Sequence, residues 1–119
     1  MDITVIILKS KIHRATVTQA SINYEGSITI DSGLMKKVGL LPYEKVLVSN
    51  ITRGTRLETY AIVGEEGSGV IGLNGAAAKL GKKGDKVTIM SFTVLPEKKA
   101  LQFTPKVIVL DEKNKIKKS

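Results

Sequence analysis

The side chains able to do chemistry sit in a few short stretches. In Tyr24-Glu25-Gly26-Ser27 a glycine precedes a serine between two strand-like segments. Glycine adopts backbone angles closed to other residues, and its carbonyl is open on both faces. In a strained peptide Ser27 Oγ could attack the Gly26 carbonyl carbon and turn the amide into an ester. Loss of the Ser27 α-proton would then expel the ester oxygen with the upstream chain and leave dehydroalanine. Hydrolysis would release ammonia and leave a pyruvoyl group, which threonine, with its extra methyl, would not yield. Most Gly-Ser pairs are plain turns, so both readings stand.

On an extended chain Arg56, Glu58 and Tyr60 share a face. Arginine offers a planar fork for a carboxylate, and tyrosine a hydroxyl that gives or takes a proton. Spacing alone favours a solvated hairpin end with a half-buried tyrosine. Asn74-Gly75-Ala76-Ala77-Ala78 puts an amide and bare N–H groups at a helix start. That arrangement suits a bound carboxylate or a plain N-cap equally. His13 is the only histidine and cysteine is absent, which leaves no credible transition-metal site. On a regular strand Lys11, His13 and Ala15 face one way, and Ile12, Arg14 and Thr16 the other. Gly67 to Gly72 formally matches a dinucleotide fingerprint, but a strand follows where a helix is needed, so the segment reads as a hairpin turn.

The elements that must position these groups are mostly strands. Eight Val-, Ile- and Thr-rich segments recur: ITVIIL, ATVTQASI, SITI, KVLVSNI, LETYAIV, GVIGL, KVTIMSFTVL and KVIVL. Close spacing and polar turns predict one mainly β domain over residues 1–119, a barrel or sandwich. Two short helices are expected, SGLMKKVG after a cap at Asp31 and GAAAKLG after Asn74, with a third helical turn from Pro96. The first two helices lie in similar settings. Strand, Asp31, helix and Glu44-Lys45-Val46 answer to strand, Asn74, helix and Asp85-Lys86-Val87. A duplicated unit fits a small barrel closed from two halves.

With 42% hydrophobic and 25% charged residues the composition is that of a globular protein. Aromatics at 4% leave the core to Val, Ile, Leu and Ala. Absence of cysteine and of a long apolar span predicts a cytoplasmic chain with no membrane segment. Net charge is +8, but the basic residues form no stripe interleaved with aromatics, and several lie in the C-terminal tail, read as a solvated end. A basic barrel-like DNA-binding module without catalysis is therefore the alternative, and no nucleic-acid partner is the expectation.

Lys-x-His-Arg, Tyr-Glu-Gly-Ser, Arg-x-x-Thr-Tyr and Asn-Gly-Ala-Ala-Ala, in that order, resemble the pyruvoyl-dependent aspartate 1-decarboxylase family from about Leu8 to Asp111. The resemblance implies a double-psi β-barrel with two or three short helices. It implies a zymogen that cuts itself after Gly26, giving chains 1–26 and 27–119. Ser27 would become the covalent pyruvoyl cofactor that forms a Schiff base with L-aspartate, with no metal. Thr59 matches the hydroxyl that holds the Gly26 carbonyl oxygen during cleavage, and Tyr60 the proton donor to the substrate carbanion. Arg56 matches the grip on a carboxylate, Lys11 and His13 basic groups near the substrate, and Asn74, Gly75, Ala76 and Ala77 the lining loop. A homotetramer with sites between subunits is implied, so Lys11 and Arg56 would serve a neighbouring chain. Some members use a maturation helper protein, and nothing in this sequence decides that. Ser49 departs from the family, where a bulkier side chain is usual.

Overall fold

The computed structural model describes residues 2–119. Nine strands form one mixed sheet: β1 (Thr4–Thr16), β2 (Gln19–Ser21), β3 (Ser27–Asp31), β4 (Lys45–Asn50), β5 (Arg56–Gly64), β6 (Ile71–Asn74), β7 (Lys86–Pro96), β8 (Lys106–Leu110) and β9 (Ile116–Lys118). Helix α1 is Ser32–Val38, α2 is Glu97–Ala100, and a 3₁₀ helix spans Gly75–Lys79. The sheet order is β2-β6-β3-β5-β4-β7-β1-β8-β9. β1 lies towards one end of that order and β2 at the other, yet only Val17 and Thr18 separate them in the chain. The sheet must therefore curl on itself. Val17 N–H donates to the Asp85 carbonyl at 2.9 Å and Thr18 N–H to the Ile71 carbonyl at 2.8 Å, which stitches the curl. The expected barrel-like, mainly β architecture is what the chain adopts. Its interior is aliphatic: Ile12, Ile28, Ile30, Val48, Ile71 and Ile89 are each at most 1% exposed.

The duplicated unit is real in space as well as in sequence. β3-α1-β4 is one copy, and β6, the 3₁₀ helix and β7 the other. β3 pairs with β6 and β4 with β7, both antiparallel, so the copies embrace strand to strand. Their entry turns match. Glu44 accepts from Leu41 N–H at 2.9 Å and Asp85 from Lys82 N–H at 2.9 Å. The residue just before each acid has a left-handed backbone, Tyr43 at φ 68° and Gly84 at φ 96°. The copies differ at the helix start. Asp31 caps α1 as expected, accepting from Gly33 N–H at 2.8 Å. Asn74 does not cap; its side chain turns elsewhere, and the helix it precedes is a five-residue 3₁₀ turn.

Four expectations change on tertiary grounds. ITVIIL and the start of ATVTQASI belong to one thirteen-residue strand, which breaks at Val17. That strand bulges between Ile12 and Ala15, with Arg14 at φ 62°. An extra residue reverses the facing of all that follow, so Ala15 is buried with Ile12 rather than sharing a face with Lys11 and His13. The Gly67–Gly72 segment is not a hairpin turn, because β5 and β6 flank β3 instead of pairing with each other. Its Gly67 and Gly69 N–H groups donate to the buried Asp31 carboxylate at 3.1 and 2.8 Å. The C-terminal tail is more than a solvated end. Asn114 is buried, accepts from Thr16 N–H at 2.7 Å and donates to the Thr16 and Gly69 carbonyls, and β9 pairs with β8.

Candidate active site

Ser27 opens β3, and the sheet fixes its neighbours. It stands opposite Asn74 of β6, and the β3–β5 register of Ile28 with Ala61 brings Tyr60 alongside. Ser27 is 3% exposed. Its hydroxyl accepts from Asn74 Nδ2 at 2.9 Å and donates to the Glu25 carbonyl at 3.3 Å. The second amide proton of Asn74 goes to Thr29 Oγ1 at 2.9 Å. A buried amide with both protons committed has little rotational freedom, so Ser27 Oγ is held to one place. These groups border a cavity of about 470 Å³, shared with Gln19, Tyr24 and Tyr43. The Tyr43 ring lies 6.3 Å from that of Tyr60, centre to centre, at 39°.

The chain before Ser27, residues 22–26, is exposed. Gly75 holds it by having no side chain. Its φ is 64°, and a Cβ there would fall 2.5 Å from the Tyr24 carbonyl oxygen and 2.6 Å from Gly26 N. Gly26 itself faces open space, with nothing within 4 Å of where a Cβ would be. Ala77 is buried and Ala76 is exposed.

The remaining predicted residues lie elsewhere in the chain. Tyr60 and Ile62 face the cavity, so strand alternation turns Thr59 to the opposite face of β5, with Leu57 and Ala61. Arg56 is four residues before Tyr60 on the same face, about 13 Å along the strand. Lys11 and His13 are on β1, separated from β3 by β5, β4 and β7 in the sheet. They share an outer surface with Arg56. His13 Nδ1 is 3.0 Å from Thr88 Oγ1, Thr88 stands opposite Ser49, and Ser49 opposite Arg56. Burial, then the Lys11 and Arg14 charges, push the His13 pKa below its usual 6.5, so the neutral ring is favoured. The structure thus gathers Gly26, Ser27, Tyr60, Asn74 and Gly75, and sets Lys11, His13 and Arg56 in a basic group farther along that outer surface, outside the lining of the Ser27 cavity.

Gln19, Thr29 and Tyr43 border the cavity and were not singled out in the sequence. Thr29 could have been found, since it lies two residues from Ser27 on one strand face. Gln19 reaches the cavity only through the pairing of β2 with β6. A larger hollow of about 530 Å³ lies by Asp31, Lys37 and Asn114, away from this chemistry.

A buried serine is held by an amide at a strand start, directly after an exposed Glu-Gly linkage. The model of the aspartate decarboxylase family matches residues 3–117. The chain belongs to the aspartate decarboxylase family. It is 57% identical to the aspartate 1-decarboxylase of Clostridium botulinum (strain Loch Maree / Type A3), over 97% of this chain and 91% of that protein. Identity is 58% with that of Carboxydothermus hydrogenoformans, over 94% and 88%. With that of Phenylobacterium zucineum it is 53%, over 97% and 98%. The DNA-binding module kept as an alternative has no support in these family relatives. Among the described residues of this decarboxylase-family chain no helix is long and apolar enough to cross a membrane.

Proposed function

We infer that the protein cleaves its own Gly26–Ser27 peptide and then decarboxylates L-aspartate to β-alanine and CO2. The product would feed pantothenate and coenzyme A synthesis in the cytoplasm. The observation that carries this reading is the Asn74–Ser27 hydrogen bond at 2.9 Å in a cavity shared with Tyr60, taken with family membership.

Maturation uses the chain's own groups. Ser27 Oγ forms a bond to the Gly26 carbonyl carbon as the C–N bond breaks, and the hydroxyl proton passes to the freed nitrogen. Asn74 orients the attacking oxygen, and Gly75 lets the 24–26 backbone just before the attacked peptide lie close by. Support for the Gly26 carbonyl oxygen is the role that the family resemblance suggests for Thr59, although within one chain Thr59 faces away from the cavity that Tyr60 borders. Removal of the Ser27 α-proton breaks the Cβ–O bond, and chain 1–26 leaves with a terminal carboxylate. Water then replaces the nitrogen on chain 27–119 as ammonia departs.

The surroundings suit a pyruvoyl group, since its precursor is already buried at a strand end with a donor amide 2.9 Å away and free volume in front. That group supplies the carbonyl that condenses with the substrate amine and accepts the electron pair released with CO2. Tyr60, which borders the same cavity, would give a proton to the substrate α-carbon. Arg56, with Lys11 and His13, would hold the carboxylate that stays. Their distance from Ser27 within one chain favours a homotetramer in which a neighbour supplies them. A maturation helper protein is compatible with the exposed 22–26 segment.

Intact-mass spectrometry of the denatured protein tests the reading. Two chains joining at 26/27, the larger lighter by one ammonia than its sequence, together with CO2 release from aspartate, are expected. CO2 release by a Ser27→Ala variant would sink it.

A further inference from the structure

The row of residues next to Ser27 holds an unassigned group. β2, β6 and β3 bring Gln19, Gly72 and Thr29 side by side, one step along from Asn74 and Ser27. The middle position of this row has no side chain. The Gln19 side chain lies across it: a Cβ on Gly72 would meet Gln19 Cγ and Nε2 at 3.0 Å and Cδ at 3.4 Å. Those three atoms are its nearest neighbours, so the space over Gly72 is given to the glutamine. Gln19 itself is exposed and borders the Ser27 cavity.

An amide laid over a bare backbone, at the wall of a polar cavity, presents a neutral N–H donor to whatever the cavity holds. Lys11, His13 and Arg56 are not in that wall within one chain. We propose that Gln19 is a further substrate-contact residue, whose carboxamide donates to the carboxylate of the bound amino acid that stays in the product, and that Gly72 is the bare floor that lets it do so. This assignment rests on the decarboxylase reading above. A hydrogen bond to an ionised partner, present equally in bound substrate and transition state, acts on KM more than on kcat.

The test uses the full chain with Gln19→Met, Gln19→Glu, Gly72→Ala, Gln19→Ala and the Gln19→Ala/Gly72→Ala pair. The cleaved fraction is scored by intact mass, and kcat and KM for L-aspartate are measured per cleaved chain. Gln19→Met should raise KM by about tenfold with kcat held within about twofold, and Gln19→Glu should raise it further through charge repulsion. Gly72→Ala should raise KM like Gln19→Met, since its Cβ displaces the glutamine; Gly72 is not at a positive φ, so alanine is accepted by the backbone. In the Gln19→Ala background the same change should move KM by less than about twofold, because the two effects act through one contact. An unmoved KM in Gln19→Met, or a Gly72→Ala effect that is the same with and without the glutamine, overturns the assignment. A wild-type chain that neither cuts itself nor releases CO2 overturns the decarboxylase reading and this one with it.

Discussion

Asn74 and Ser27 are register partners across β6 and β3, and the Asn74 amide donates to the Ser27 hydroxyl at 2.9 Å. The sheet therefore delivers to the serine an amide whose other proton is already spent on Thr29 at 2.9 Å. Asn74→Ala should leave the buried Ser27 hydroxyl and the half-buried Thr29 hydroxyl short of a donor. We expect a stability loss of about 1–3 kcal/mol and cleavage slower by about tenfold or more, followed by mass spectrometry over time at one temperature. Wild-type cleavage in Asn74→Ala would remove the orienting role.

Gly75 makes a separate prediction. Its φ is 64°, and an added Cβ would overlap the Tyr24 carbonyl oxygen and Gly26 N. Gly75→Ala therefore costs about 1–2 kcal/mol from the backbone alone and must push the 24–26 segment away from Ser27. The expected outcome is a folded chain, by circular dichroism, that remains uncut after prolonged warm incubation. Full cutting of Gly75→Ala would show that the close approach is irrelevant to the reaction.

Much of this fold was legible because local rules and tertiary structure agree. The period-two strands, the Asp31 cap and the repeated Glu44 and Asp85 turns all follow from neighbours in sequence. What was not legible depended on partners far along the chain. The bulge at His13 and Arg14 arises in the pairing of β1 with β7. Asn114 is 98 residues from Thr16, to which it bonds, and no local pattern in a lysine-rich tail reveals that. Asn74 looks like a cap in sequence, and only the approach of β3 gives its amide better partners. The roles of Arg56 and Lys11 came from motif resemblance, since neither their spacing nor the single chain brings them to Ser27.

Asp31 ties the cap of α1 to the 65–70 loop. Burial alone would raise its pKa, but N–H donors from Gly69, Gly67, Gly33 and Leu34 together hold it below the ordinary 3.8. The folded state then binds fewer protons than the unfolded chain in this range. Asp31 stabilises fully above about pH 4 and loses that contribution as pH falls through the lowered value. Asp31→Asn should cost about 2–3 kcal/mol at neutral pH and flatten the acid limb of a melting-temperature profile. An unchanged limb would mean that other carboxylates carry the acid sensitivity.

Tyr43 occupies a backbone conformation that suits glycine. Leu41-Pro42-Tyr43-Glu44 is a tight turn, with Glu44 N–H donating to the Leu41 carbonyl at 3.1 Å and Tyr43 at φ 68°. Proline second and a left-handed third residue is a pattern that favours glycine third, and the repeat copy has Gly84 there. Two hydrogen bonds enforce the strained residue: Tyr43 N–H to the Ala61 carbonyl at 2.7 Å and Ala61 N–H to the Glu44 carbonyl at 3.0 Å. What the tyrosine adds is a ring against Tyr60 at the cavity wall. Tyr43→Gly should relieve about 1 kcal/mol of backbone strain, partly offset by greater freedom of the unfolded chain. Asparagine, which also tolerates this region, loses less to that freedom, so Tyr43→Asn should melt higher than wild type. Both variants should lower kcat severalfold on cleaved enzyme, because Tyr60 loses its neighbour. Strained residues persist where surrounding structure enforces them, and they cluster at functional sites. A Tyr43→Asn chain that melts lower, or one that turns over as fast as wild type, would show that the ring and not the backbone dominates, or that Tyr60 needs no such support.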